Sequence, residues 1–184
     1  MLREPGFKVT LQFKGDGPAQ QVLCTASSDG AVKGYIVNPN VDLPVRSDGS
    51  PDVGGALGIG TITCIRDTGM KEPYVGRIDL VSGEIADDMT AYFFISEQQQ
   101  TSVSLGVKLS EDGAVEAAGG LIIQMLPDAG EEAVQALENW LPKMPKITEL
   151  VSQVMENAGA KSVGTLMKEL IGEAFSGLPE EFEV

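Results

Sequence analysis

No histidine occurs anywhere in the 184 residues, and only two cysteines do. The first absence removes the commonest general base and the commonest metal ligand together. Cys24 and Cys64 have no thiol or imidazole near them in sequence, so neither fits a zinc-ligand spacing. Basic residues are scarce as well: 13 Lys and Arg against 27 Asp and Glu leave a net charge of −14. A field of that sign repels phosphate backbones and anionic lipid, so nucleic acid and membrane surfaces are not the expected partners. Long apolar runs are missing too. The run at residues 121–126 is far too short to span a bilayer. Met1-Leu2-Arg3-Glu4-Pro5 holds no apolar core of a secretory signal, and the expected location is cytoplasmic.

What remains is an ordinary globular composition, 42% hydrophobic and 22% charged, in a chain long enough for one domain or one with an appendage. Residues 7–65 read as short strands with turn punctuation. Residues 7–14 alternate apolar and polar side chains, and Gly15-Asp16-Gly17-Pro18 breaks the strand, its glycines allowing positive φ. Residues 20–26 and 31–37, joined through Ser28-Asp29-Gly30, continue a meander. Residues 41–60 read as loop, and residues 58–65 and 74–80 as a further strand pair. Cys24 and Cys64 each alternate with polar neighbours and read as small buried hydrophobes, with a disulfide between them left open by sequence alone. No glycine-rich phosphate motif opens a helix among the many glycines, which read as turns.

Residues 85–96 form the first strong helical pattern, with Ile85, Met89, Tyr92 and Phe93 on one face and Asp87-Asp88 in the first turn. Strands return at residues 100–109 and 115–126, where Gly119-Gly120 implies a bulge or a close backbone approach. Three helical patterns follow at residues 133–141, 147–158 and 163–175. Their apolar stripes are Ala133, Leu137, Trp140 and Leu141, then Leu150, Val151, Val154 and Met155, then Leu166, Met167, Leu170 and Ile171. Strands first and helices after predict an α+β fold: a twisted antiparallel sheet core with one embedded helix at residues 1–127, and a helical linker region at 128–184 packed on it.

Catalysis finds no support. Glu84, Asp87 and Asp88 cluster, but carboxylates in a first helical turn ordinarily face solvent and the helix dipole. Ser96 has no histidine to activate it. The stripes of the later helices are core in the plain reading, and in the functional one they are apolar surface shown to partners, with Met144, Met155 and Met167 adaptable contacts.

Beside that reading stands a resemblance. Val9-Thr10-Leu11-Gln12-Phe13-Lys14 with Gly15-Asp16-Gly17-Pro18, Lys33-Gly34-Tyr35, Asn38-Pro39, Asp52-Val53-Gly54-Gly55 and Glu72-Pro73-Tyr74-Val75-Gly76 occur in that order. They are followed by Leu80-Val81-Ser82-Gly83-Glu84, Tyr92-x-x-x-Ser96-Glu97-Gln98, Gly119-Gly120 and Gln124-Met125-Leu126-Pro127. From about residue 7 onward the chain resembles the heat shock protein 33 family of redox-regulated bacterial holdase chaperones. The resemblance implies an ATP-independent chaperone that binds unfolding proteins as a homodimer, with no catalytic residue. Its zinc is held by four C-terminal cysteines, and oxidation releases it. Cys24 and Cys64 match none of them, so no cofactor or metal is expected on this chain. Neither the family's N-terminal helical stretch nor its cysteine switch has a counterpart, which implies a core and linker fragment. The client-binding candidates are Trp140, Leu141, Leu150, Val151, Val154, Met155, Leu166, Met167, Leu170 and Ile171, together with the sheet face. Tyr92, Ser96, Glu97, Gln98, Gly119 and Gly120 are the structural residues of the motif. The alternative is a structural or dimerisation module that binds no client.

Overall fold

A computed structural model describes residues 5–42, 46–47, 50–126, 129–157 and 169. Its elements, in order, are β1 (Lys8–Gly15), β2 (Gln21–Ser27), β3 (Val32–Ile36), α1 (Val53–Leu57), β4 (Gly60–Asp67), β5 (Tyr74–Asp79) and α2 (Ile85–Ser96). Then come β6 (Thr101–Leu109), β7 (Val115–Gln124), α3 (Glu131–Trp140), a 3-10 turn (Leu141–Lys143) and α4 (Ile147–Asn157). The expected α+β class is what the structure shows. Its compact units are Met1–Gln100 and Thr101–Val184, so the division falls before β6 and not at residue 127. The reason is that β6 and β7 form a separate two-stranded sheet. A lone ribbon needs a cover to be stable, and here α4 packs on it.

In the first unit five antiparallel strands lie in the order β3-β2-β1-β4-β5. The registers put Val9, Leu11 and Phe13 of β1 on one face with Val22, Cys24 and Ala26 of β2, and with Ile62 and Cys64 of β4. Gly76 and Ile78 of β5 and Val32, Gly34 and Ile36 of β3 share that face. The opposite face is largely polar. There the Thr10 and Thr25 hydroxyls meet at 2.8 Å, and Arg77 Nε donates to Thr63 Oγ1 at 3.0 Å.

The Gly-Asp-Gly-Pro turn works differently from its sequence reading. Neither Gly15 nor Gly17 has positive φ; Gln20 does, at 63°. The glycines are required by close approach, since a Cβ on Gly15 would lie 1.9 Å from the Leu57 carbonyl oxygen and one on Gly17 2.5 Å from that of Ala56. The end of α1 is thereby laced to the turn: Gly17 N–H donates to Leu57 O at 2.8 Å, and Ile59 N–H to Asp16 Oδ1 at 2.7 Å. α1 itself falls in the stretch that reads as loop, because Gly54-Gly55 are poor helix formers. Asp52 overcomes this locally by capping, its Oδ1 accepting from Gly55 N–H at 3.1 Å.

In the second unit Gly106 pairs with Gly119 and Leu105 with Gly120 in regular register, while the irregularity lies at Lys108/Leu109. The bulge expected at Gly119-Gly120 is therefore elsewhere; the close backbone approach to α4 is made from the facing strand, where a Cβ on Gly106 would sit 2.6 Å from Thr148 N at the start of the helix. Gly120 is overlaid by the side chain of its cross-strand partner, Leu105. Ile147, Leu150 and Leu137 are buried. The third helical pattern, residues 163–175, lies outside the described residues apart from Glu169.

Gly106→Ala is expected to lower stability by about 1–3 kcal/mol, because backbone must move to admit the methyl group. Gly130→Ala, where nothing lies within 4 Å of the place the methyl group would take, should stay within about 1 kcal/mol. Urea denaturation of the two variants checks the contrast.

Candidate functional site

The covered half of the apolar sheet face is built around α2. Met89, Tyr92 and Phe93 are buried on it, while Phe94 and Ile95 look outward. Gly76 lies opposite Cys64, and its missing Cβ leaves the space that Tyr92 fills: a methyl there would meet Tyr92 Oη at 2.3 Å and Ser96 Oγ at 2.7 Å. Tyr92 is 0% exposed. Its hydroxyl donates to Glu97 Oε1 at 2.9 Å and is also bonded by Ser96. The other Glu97 oxygen holds Arg66 at 3.0 Å, and the guanidinium lies over the Tyr74 ring, 4.4 Å from its centre. The helix then closes through Gln98 at φ 55°, with the N–H groups of Glu97 and Gln99 both returning to Phe93 O.

Three carboxylates seat the other end of α2. Glu84 Oε1 accepts from Gly54 N–H at 2.7 Å and pairs with Arg46 at 2.6 Å. Asp88, expected to face solvent, is fully buried, and its Oδ1 accepts from the N–H groups of Val81 at 2.6 Å and Ser82 at 3.1 Å. Asp87 takes the Ser82 hydroxyl at 3.2 Å. These groups hold a turn and a helix start.

The two cysteines differ. Cys64 is buried as expected, but Cys24 is exposed. Each lies across from Leu11, on opposite sides of β1. Two strand spacings put them about 10 Å apart, beyond the roughly 7 Å limit between Cα atoms for a disulfide. With no histidine in the chain and no third donor beside them among the described residues, they do not fit a zinc ion.

α2 packs against β4 and β5. On β1, Val9 and Phe13 are buried as well, so the part of the face left open among the described residues lies over β2 and β3. Leu11, Val22 and Ala26 are half-buried, Cys24 and Ile36 are exposed, and Val32 is 68% exposed. Among the described residues, the apolar strip that faces outward is thus that of β2 and β3. Of the candidates read from the later helices, Trp140 and Leu141 are half-buried. Leu150 is only 6% exposed, a core residue wherever α4 stays on the ribbon. The side chains of Val151, Val154 and Met155, and the whole of Leu166, Met167, Leu170 and Ile171, lie outside the described residues. Sequence reasoning does not single out Val32 and Ile36. Their alternation is visible in sequence, but which half of a face a helix leaves bare is not.

Burial raises the Cys64 thiol above its ordinary 9.0, and burial with the Glu97 carboxylate beside it raises Tyr92 above its ordinary 10.0. Both groups therefore stabilise the fold fully below their unfolded values, and that contribution is lost as pH climbs past 9 and then 10 toward the folded values. Tyr92→Phe should cost about 1–3 kcal/mol at neutral pH and flatten the fall in stability above pH 10, as followed by denaturant midpoints across pH. In the native chain a thiol reagent should modify Cys24 promptly and reach Cys64 only on unfolding, giving two kinetic phases in a colorimetric thiol assay.

The Hsp33 protein family model matches residues 1–182. The 33 kDa chaperonin of Ruminiclostridium cellulolyticum is 47% identical over 153 residues, covering 83% of this chain and 52% of that protein. The 33 kDa chaperonin of Clostridium tetani is 46% identical over 156 residues, covering 84% and 53%. The crystal structure of the 33 kDa chaperonin from Thermotoga maritima superposes with a TM-score of 0.76 at 34% identity, over 93% of this chain and 56% of that one. The chain spans about half the length of the curated relatives it matches. With a family model that runs from Met1 to Phe182, on a fold shared with a solved member, the chain belongs to the Hsp33 family.

Proposed function

We propose that this chain is a holdase chaperone core, which binds apolar segments of unfolding proteins without ATP and keeps them from aggregating. One observation carries the reading: in a member of this family, the β2–β3 part of an apolar sheet face is exposed among the described residues, beside a part covered by α2. Apolar surface removed from water contributes roughly 25 cal/mol per Å², so even a modest strip can hold an unfolded segment reversibly. The rigid anchor of α2 keeps the strip from closing on itself. The net charge of −14 keeps loaded complexes apart by like-charge repulsion. Client-holding as a homodimer in the cytoplasm completes the proposal. No described helix is long and apolar enough to cross a membrane.

The family's redox control rests on zinc-binding cysteines, and Cys24 and Cys64 do not supply that chemistry. Suppression by this chain is therefore expected to be the same under reducing and oxidising conditions. Light scattering of a thermally unfolding client, with stoichiometric chain added, measures it. Val32→Asp with Ile36→Asp should weaken suppression several-fold and leave the circular dichroism spectrum intact, since both side chains are solvent-exposed. A folded wild-type chain that protects no client would instead indicate the structural or dimerisation module.

A further inference from the structure

We infer that β3 is the docking edge of this surface, where an extended client segment of neutral or basic character is added to the sheet as a sixth strand. The inference rests on the chaperone reading above and specifies how its client is held.

The phase of the β2–β3 ladder decides which groups are free. Val37 N–H donates to Gln21 O at 2.9 Å and Ser27 N–H to Ala31 O at 3.0 Å. Hydrogen-bonded and non-bonded pairs alternate along an antiparallel ladder. Leu23/Tyr35 and Thr25/Lys33, in step with those two pairs, therefore also exchange bonds. Val32, Gly34 and Ile36 accordingly turn their N–H and C=O groups away from β2, at the outer edge of the sheet. The side chains of the same residues lie on the bare apolar face, across from Ala26, Cys24 and Val22. Among the described residues, an unpaired main-chain ladder and an apolar surface thus coincide on one row. Between Val32 and Ile36, Gly34 has no side chain, and a Cβ there would lie 2.9 Å from the Leu23 carbonyl oxygen and 2.8 Å from Cys24 Sγ. An incoming strand that alternates apolar and polar residues matches both features.

The other edge also presents main chain, but on the polar face and with charge on the outward row. Leu80 N–H donates to Gly60 O at 2.9 Å, which turns the main chains of Val75, Arg77 and Asp79 outward on β5. Two of those three residues are charged, and all three belong to the polar face. Sheets commonly guard an edge with charge, proline or a bulge. β3 has no proline and no register shift, and its single charge, Lys33, is on the row bonded to β2. Charge also selects the occupant. A second copy would bring another −14 to the edge, whereas a neutral or basic segment is drawn by the field.

The test uses a fluorescein-labelled eight-residue peptide of alternating Val and Thr ending in two Lys, titrated into the full chain and read by anisotropy. Two further peptides carry N-methyl groups on alternate residues, one set along each edge of the strand. Strand addition requires that one N-methylated peptide lose at least about tenfold in affinity while the other binds as the parent does. Ile36→Pro should weaken the parent peptide comparably, because it deletes an outward N–H that β2 does not use. Equal binding of both N-methylated peptides would overturn the inference in favour of side-chain docking alone. So would a wild-type dimer that Ile36→Pro converts to monomer and the peptide cannot compete with, since the edge would then belong to a second copy. A chain that suppresses aggregation yet binds no peptide refutes strand addition and leaves the chaperone reading standing. A chain that does neither refutes both.

Discussion

Tyr92 can reach Cys64 across the sheet only because residue 76 has no Cβ. That single vacancy lets a helix lie close on β4 and β5, and the polar tip of the tyrosine then has to be satisfied in a fully buried site. Glu97 does this from the helix end and Arg66 neutralises Glu97 from the sheet, so the chain of contacts runs from strand to helix and back. Burying a tyrosine hydroxyl or a carboxylate unpaired costs several kcal/mol, and losing one member of such a network leaves the others exposed to that cost. The network therefore fixes where α2 sits more than it adds net stability. Because α2 is held at one place, its reach over the sheet is fixed too, and the bare strip begins where that reach ends.

The same need for partners governs the loops around the helix start. Glu84, Asp88, Asp52 and Asp16 each accept from backbone N–H groups that glycine-rich turns would otherwise leave without partners. In a chain with an excess of acids over bases, carboxylates are the available acceptors. These four serve the backbone, with Arg46 shared between Asp52 and Glu84. The clustering that invites a catalytic reading is thus a consequence of short, glycine-rich connections packed against one another.

Much of this was legible in sequence because alternation reports strands directly: the strands of the first sheet and β6 lie where apolar and polar residues alternate between turn signals, and β7 shows as a short apolar run closed by proline. α2 was legible for the same reason, at a period near four. Three things were not. α1 is a helix of Val53–Leu57 whose glycines argue against helix, and only the cap by Asp52 and the packing of Gly54 against Ser82 reveal it. Asp88 is buried although acids in a first turn usually face water, because the turn at Val81-Ser82 folds back over it. The unit boundary lies before β6 because pairing across sheets is a long-range choice that local pattern does not record. For the candidate site, the motif residues Tyr92, Ser96, Glu97 and Gln98 were legible and the network explains them. The bare half of the face was not, since coverage depends on which strands a helix crosses.

Cys24 and Cys64 make that last point with one residue type. They stand in the same alternating context, on the same face, each across from Leu11, yet one thiol is sealed and the other open. The difference is α2, which covers β4 and stops short of β2. A sheet face whose strands are equally apolar by pattern is therefore divided by its lid into core and surface. The open part ends at β3, an edge without the charges that guard β5. A face whose one charge, Arg66, is paired with Glu97 under α2, and whose open strands carry only apolar residues and glycine, suits a surface whose work is to meet other apolar chain.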